Sequence, residues 1–471
     1  MIRSAASALP ILVALLPWGG GLLGGPLGGP LAGGVLSAQE LVARTSPAPV
    51  SAALPVETFQ LDNGLTVVLS EDHSAPVTAV SVWYHVGGAH EFEGYTGLAH
   101  LLEHLLGNRV RDLSEAEVER LVEDAGGVAS ASTDVDRTAF QMVVPAGALE
   151  LALWIQAGRM ADPPLSDSLV RTATAAVVTE AQDQIDAQPY ARSQIVVDTL
   201  VSAYAPYRNP LVGRPGLEDV DASVVRRFHG LYYVPANAVL TIAGDASRTR
   251  VETLVRRYFG SLDDRPAPPR LPPFPIVPAG AGESRATVTD PLAAAPLLWV
   301  AYAVPEAVDE DLYALSLLSS VISAGPSSRL NSVLVVRTEV AQSVVSVLNR
   351  RRGPGSLLLG ALPTEGTAPE RLETVLLSVI DVIRESGVTE AELEKAKNQR
   401  RATEVAARLT LAGRASELQR HQLYGGRAVR ANSELERYDA VTPEDVLRVA
   451  RRYLIPENRA VVLALPTRLG G

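Results

Sequence analysis

The strongest constraint on this 471-residue chain is that it carries one block twice. Val220-Asp-Ala-Ser-Val-Val-Arg-Arg-Phe-His-Gly-Leu-Tyr-Tyr-Val-Pro235 lies on Val441-Thr-Pro-Glu-Asp-Val-Leu-Arg-Val-Ala-Arg-Arg-Tyr-Leu-Ile-Pro456 without a gap, at a shift of 221 residues. Val220, Val225, Arg227, Tyr232, Pro235 and Asn237 then meet Val441, Val446, Arg448, Tyr453, Pro456 and Asn458. Each copy reads as an amphipathic helix, a Pro-x-Asn turn and a strand, Ala238 to Ala243 and Ala460 to Leu465. A repeat of this length implies duplicated domains, and the protein is longer than one hydrophobic core usually serves. The Pro-rich stretch 266–279 has the composition of a linker. It separates a first domain, 55–265, from a homologous second one, 280–471.

Local patterns give the fold class. Glu57 to Leu61, Asp62-Asn63-Gly64 and Leu65 to Leu69 form a hairpin signal, and Val77 to Val86 reads as a further strand. Leu113 to Asp124 and Ala146 to Met160 read as helices. Hairpins mixed with helices predict an α+β architecture, each domain a largely antiparallel mixed sheet packed with helices.

Composition narrows the chemistry. A net charge of −11 weighs against nucleic acid as a partner, because phosphate binding needs clustered Lys and Arg. With no cysteine, disulfides, thiolate metal sites and a cysteine nucleophile are all excluded. Any metal site must use His and carboxylates, and there are 7 His in all.

Residues 1–38 read as a signal peptide. Arg3 supplies the positive charge, Ala8 to Leu16 the apolar core, and Leu36-Ser37-Ala38 the cleavage site. A retained anchor is the rival reading, but Gly19 to Gly21, Gly24-Gly25 and repeated prolines interrupt the run. The expectation is export to the periplasm, a flexible segment at 39–54, and no membrane span after cleavage.

Two of the histidines stand close together, in Gly97-Leu-Ala-His100-Leu-Leu-Glu103-His104-Leu-Leu106. Apolar residues at 98, 101, 102, 105 and 106 support a helix, on which His100 and His104 lie one turn apart on one face and can share a metal ion. Imidazole suits zinc. Glu103 is placed to take a proton from a water at that site and pass it to a leaving amine; this spelling is the inverted zincin motif. A catalytic zinc needs a third protein ligand. Glu180 is a candidate, in a stretch whose apolar 175 to 178 suggest a buried helix with Glu180 at its end. Spacing alone does not choose it over Asp183 or Asp186.

These residues carry a resemblance to the pitrilysin/insulinase (M16) family of zinc peptidases, in its short two-domain form related to mitochondrial processing peptidase. The family places a ligand glutamate about 76 residues after the second His, and here that position is Glu180. Other similar stretches are Leu61-Asp-Asn-Gly-Leu65, Gly126-Gly127 with Ala131-Ser-Thr133 and Asp136-Arg-Thr138, Ser327-Ser-Arg-Leu330 and Glu394-Lys-Ala-Lys-Asn-Gln399. The resemblance implies the processing-peptidase-like metallohydrolase fold, one Zn2+ per subunit on His100, His104 and Glu180, and Glu103 as base. It also implies a peptide substrate that adds as a strand beside 128–134, near Ser130, Ala131 and Thr133.

The departures from the family pattern matter too. An extra family Glu is Ala173 here, and a substrate-strand Asn is Ser130. The Arg and Tyr that grip substrate in the family correspond to Val335 and Gln342, with Arg337 and Tyr302 as out-of-register substitutes. The resemblance therefore implies a heterodimer, in which a homologous subunit supplies the Arg/Tyr pair. The alternative is a non-catalytic peptide-binding or assembly subunit. His73, His85, His90, His229 and His421 read as core or surface residues, and Arg350-Arg-Arg352 as a solvated turn.

Overall fold

The computed structural model describes residues 53–467 apart from 162, 164, 209–215, 218 and 279–281. The expected signal peptide, 1–38, lies outside the described residues, as does most of the 39–54 segment. Leu54, at the end of that segment, is buried and exchanges two hydrogen bonds with Asn432.

The first half contains β1 (Glu57–Gln60), β2 (Thr66–Glu71), β3 (Val77–Tyr84), α1 (Leu98–Asn108), α2 (Glu115–Asp124), β4 (Val128–Thr133) and β5 (Thr138–Pro145). It continues with α3 (Leu149–Met160), α4 (Asp167–Asp186), α5 (Ala191–Val201), α6 (Ala222–Tyr232), β6 (Ala238–Gly244) and α7 (Arg248–Phe259). The sheet order is β1-β2-β6-β3-β5-β4, antiparallel except where β2 meets β6. The β1–β2 turn is the one expected, with Gly64 at φ 86°, in the left-handed region that suits glycine.

The second half contains β7 (Ser284–Asp290), β8 (Leu297–Val304), α8 (Asp311–Ser323), a π-turn (Asn331–Arg337), β9 (Ala341–Asn349) and β10 (Gly355–Pro363). There follow α9 (Pro369–Ser386), α10 (Glu390–Arg408), α11 (Leu411–Gly425), α12 (Glu434–Ala440), α13 (Pro443–Tyr453) and β11 (Arg459–Pro466). Its order, β7-β11-β8-β10-β9, repeats that of β2-β6-β3-β5-β4, again with one parallel pair, β7 with β11. The α+β class and the duplication are therefore as expected.

The repeated Asn explains why the duplicated block persists. Asn237 Nδ2 donates to Tyr232 O at 2.8 Å and to His85 O at 3.1 Å, tying the end of α6 to the end of β3. Asn458 Nδ2 does the same in the other half, at 2.8 Å to Tyr453 O and 2.8 Å to Ala303 O. In both places one amide satisfies two carbonyls that the helix end and strand end leave without a partner.

The halves are not packed independently. α5 of the first half lies against β7, β8 and β11 of the second sheet, and α11 of the second half lies against β3 and β6 of the first. α5 and α11 occupy equivalent places in the repeat, so the exchange is reciprocal. Val197 and Val201 join the apolar core of the second sheet, and Ser193 Oγ accepts from Trp299 Nε1 at 3.1 Å. In return, Leu418 packs on Val68 and Val239, and Gln419 Nε2 donates to Ser81 O at 2.6 Å and Val239 O at 3.0 Å. Each sheet thus has its second face covered by a helix from the other half.

The expectation of a solvated turn at Arg350-Arg-Arg352 is corrected. Arg350 reaches Tyr438 and Glu434, Arg351 pairs with Asp198, and Arg352 N donates to Asp136 Oδ2 at 2.8 Å. The turn sits where the halves meet, and buried carboxylates there need cationic partners.

Candidate metal centre

α1 is buried on most of its circumference. Leu98, Ala99, Leu101, Leu102 and Leu106 are fully buried, which leaves one face for His100, Glu103 and His104. Gly97, at φ 95°, turns the backbone into the helix, and Glu91 caps it through Oε2 to Gly97 N at 2.9 Å and Oε1 to Ala99 N at 3.0 Å. At the other end, buried Arg159 donates to Leu106 O at 3.1 Å. No sequence rule singles out Glu91 or Arg159: the first sits outside the usual capping register, and the second comes from a distant helix.

α4 crosses this face and brings Glu180. The expectation of a buried 175–178 run ending at Glu180 is wrong in detail. The helix continues to Asp186, and Ala175 and Ala176 are exposed and Val178 half-buried, while Val170, Thr174, Val177 and Ala181 are buried. Four consecutive residues sweep a full helical turn, so only the i, i+4, i+7, i+11 stripe reaches the core. Glu180 stands mid-helix at the margin of that stripe. Asp183 and Asp186 are exposed and do not join the ligand group, and Asp186 pairs with Arg192.

Three ligand-type atoms converge. His104 Nε2 lies 3.1 Å and His100 Nε2 3.8 Å from Glu180 Oε2, and the two Nε2 atoms are 3.2 Å apart. A tetrahedral zinc with bonds of about 2.0–2.1 Å holds its ligands roughly 3.3 Å apart, so this donor set fits one ion. Gln184 Nε2 donates to Glu180 Oε1 at 3.0 Å, leaving Oε2 for the histidines. Burial, aided by the neighbouring His104, pulls the His100 imidazole down to about 4, so it is neutral and free to ligate. Burial also pulls His104 down, but the Glu180 hydrogen bond and charge outweigh it and hold His104 above its ordinary value. Glu180 is correspondingly lowered, first by its bond to His104.

Glu103 stands beside this group, 3% exposed, with Oε2 buried and without a hydrogen-bond partner among the described residues. Burial pushes its carboxyl up to about 7, against the pull of the Thr133 hydroxyl and the positive charge of His104. A buried carboxyl titrating near neutrality, with one oxygen free, is suited to proton transfer.

The expected substrate strand is β4, at the edge of the first sheet. Ala131 and Thr133 are buried, Ala131 in the apolar cluster that contains α1 and Thr133 behind Glu103. Ser130 and Ser132 alternate with them and line a cavity between the halves. Beyond α4, Glu180 borders a cleft of about 690 Å³ with Ala176, Thr179, Asp183 and Gln188.

In the second half, Val335 packs against the core and Gln342 Nε2 donates to Pro363 O at 3.0 Å. Of the two out-of-register substitutes, Tyr302 is fully buried in β8 and Arg337 is exposed at the end of the π-turn. His90 is buried and His85 half-buried beside it, 5.7 Å between ring centroids, and loss of solvent pulls His85 down to about 3 and His90 to about 4.

Residues 66–214 match the family profile Insulinase (Peptidase family M16), and residues 219–400 match Peptidase M16 inactive domain. The protein belongs to peptidase family M16. Among its M16 relatives, Zinc protease PqqE of Helicobacter pylori is 28% identical over 372 residues, 78% of this sequence and 83% of that one. An uncharacterized zinc protease of Mycobacterium tuberculosis is 29% identical over 430 residues, 89% of this sequence and 95% of that one. The crystal structure of a protease from Helicobacter pylori superposes with a TM-score of 0.82 at 25% identity, covering 88% of this protein and all of that one. Among the described residues no helix is long and apolar enough to cross a membrane.

Proposed function

We propose that this M16 protein is a zinc metallopeptidase that hydrolyses extended or unfolded peptides. One ion is held by His100, His104 and Glu180, and Glu103 acts as the general base. The observation that carries the reading is the convergence of His100 Nε2, His104 Nε2 and Glu180 Oε2 within 4.8 Å of one another, with the free Oε2 of Glu103 alongside. A zinc ion in such a site supplies a Lewis acid that polarises a carbonyl and makes water acidic near neutral pH. The protein's own residues do the rest. Glu103 takes a proton from the attacking water and returns it to the leaving amine. Thr133 holds Glu103 in place, and the open edge of β4 aligns the peptide through backbone hydrogen bonds.

The chemistry at Val335 and Gln342 supports a division of labour. An apolar side chain and an amide already bound to Pro363 O offer no charge to a developing oxyanion, whose stabilisation is usually a large catalytic contribution. We therefore assign this protein as the zinc-bearing subunit of a heterodimer, exported with loss of residues 1–38 and acting in the periplasm. The same two positions, with Ala173, favour the second reading, a peptide-binding or assembly subunit.

Zinc content and cleavage of a quenched peptide library test both readings, using the mature protein alone and with a homologous neighbour. One zinc per subunit and partner-dependent cleavage that vanishes in Glu103→Gln is the expected result. Zinc without cleavage in either preparation moves the assignment to the second reading, and absence of zinc removes the first.

A further inference from the structure

A cavity of about 430 Å³ lies between the halves, on the face of β4 opposite the metal centre. Its floor is Ser130, Ala131 and Ser132 of β4 with Trp83, Ala139 and Gln141 of the neighbouring strands. Its roof comes from α10 and α11 of the second half, and four of its lining residues are Arg137, Arg350, Arg400 and Arg420. Two carboxylates also line it, Glu404 and Glu417.

The surface turned to the cavity is nonetheless cationic. The four guanidinium side chains are 19%, 16%, 22% and 25% exposed, whereas Glu404, Glu417 and Glu434 behind them are 6%, 5% and 1% exposed. Glu417 is already taken by a bidentate pair with Arg408, at 2.9 and 2.7 Å. Glu434 is shared at 3.5 Å by Arg350 and Arg420. Arg400 pairs with Glu404, and Arg137 with Asp134 while lying 3.8 Å over the Trp83 ring. The Nε atoms of Arg350 and Arg400 are buried with no hydrogen-bond partner among the described residues. Each guanidinium carries five N–H donors, so the internal pairs leave several unused.

We propose that this cavity receives a carboxylate of the bound peptide, from an acidic side chain or from the peptide's own C-terminus. The inference rests on the peptidase reading, with the peptide lying along β4. Successive side chains of a strand added there point to opposite faces. Those on the Ala131 and Thr133 side face Glu103, and those on the Ser130 and Ser132 side face the arginines. The acidic preference therefore falls on peptide positions of one parity.

The test uses zinc-loaded Glu103→Gln protein, so that labelled peptides stay intact, and measures their affinity by fluorescence anisotropy. One series replaces each residue of a neutral peptide in turn by Glu or by Gln, and a second compares the free C-terminal acid with its amide. A carboxylate bound by paired guanidinium donors is expected to tighten binding about tenfold or more at one position in either series. That gain is lost in Arg400→Gln. It is lost also in Ala407→Glu, which places a negative charge on an exposed lining residue and removes no polar contact. Equal affinities throughout both series, no measurable binding, or a gain that survives both substitutions overturns the proposal. Cleavage by the unmutated protein, alone and with a homologous partner, is read separately. Discrimination without cleavage removes the peptidase reading and keeps the cavity's role; cleavage without discrimination does the reverse.

Discussion

Replacing Glu91 by Ala removes both acceptors that cap the helix bearing three residues of the metal centre. The N–H groups of Gly97 and Ala99 lose bonds of 2.9 and 3.0 Å. Leu98 and Ala99 are fully buried, so water has little access to replace them. A buried donor left without a partner costs about 1–3 kcal/mol, so two cost roughly 2–6, and about 4 kcal/mol is the central expectation. Because the exchanged helices make the two halves one folding unit of roughly 430 residues, each kcal/mol moves the melting point by about 1 °C, which gives a fall on the order of 4 °C. Glu91→Gln keeps one carbonyl acceptor and is expected to lose about half as much. His100 lies in the first turn of α1, so zinc affinity should fall as well, by about 10- to 100-fold, as when supports of metal ligands are removed. Calorimetry with a chelator present isolates the fold, and competition with a zinc indicator isolates the site. A Glu91→Ala protein melting within about 1 °C of the parent would refute the reasoning, because the cap would then contribute little.

Other consequences are equally direct. His104 is held above its ordinary 6.5 by Glu180, so in the metal-free protein this pair contributes stability below that value and loses it as pH rises through the raised pKa. Zinc binding runs the other way: its affinity should weaken as pH falls through the raised pKa and His104 takes up a proton, measured by chelator competition. Asp198→Ala strands the buried Arg351 guanidinium and removes an acceptor 2.8 Å from Ser356 Oγ, with an expected cost of about 3–5 kcal/mol in denaturant unfolding. Ser193→Ala leaves Trp299 Nε1 without its acceptor and should cost about 1–3 kcal/mol, seen as a lower melting point with unchanged zinc content. Glu103→Gln is expected to lower cleavage by about 10²- to 10⁴-fold while zinc stays bound.

Much of the site is legible in one short run of residues. His100, Glu103 and His104 sit within little more than a single helical turn, so their shared face follows from 3.6-residue periodicity and needs no distant contact. The hairpin at Asp62-Asn63-Gly64 and the Pro-x-Asn turns are legible for the same reason, since local backbone chemistry dictates them. Glu180 is not legible in that way: physical spacing leaves it level with Asp183 and Asp186, and the family's interval of about 76 residues chooses it. In the structure, α4 packs its Val170–Thr174–Val177–Ala181 stripe inward, which leaves Glu180 at the margin facing the histidines. The Arg350-Arg-Arg352 turn misleads because a charge run carries no sign of what it will face.

The sequence by itself determined what short-range chemistry controls: two copies of one α+β unit, a helix with two histidines and a carboxylate on one face, and no cysteine for any other kind of metal site. Tertiary structure decided what depends on long-range packing. α5 and α11 change places between the halves, Glu91 and Arg159 secure the two ends of α1, and half-buried arginines gather opposite β4. Amphipathic helices state that they have an apolar face but not which sheet will cover it, and the reciprocal exchange buries the second face of both sheets at once.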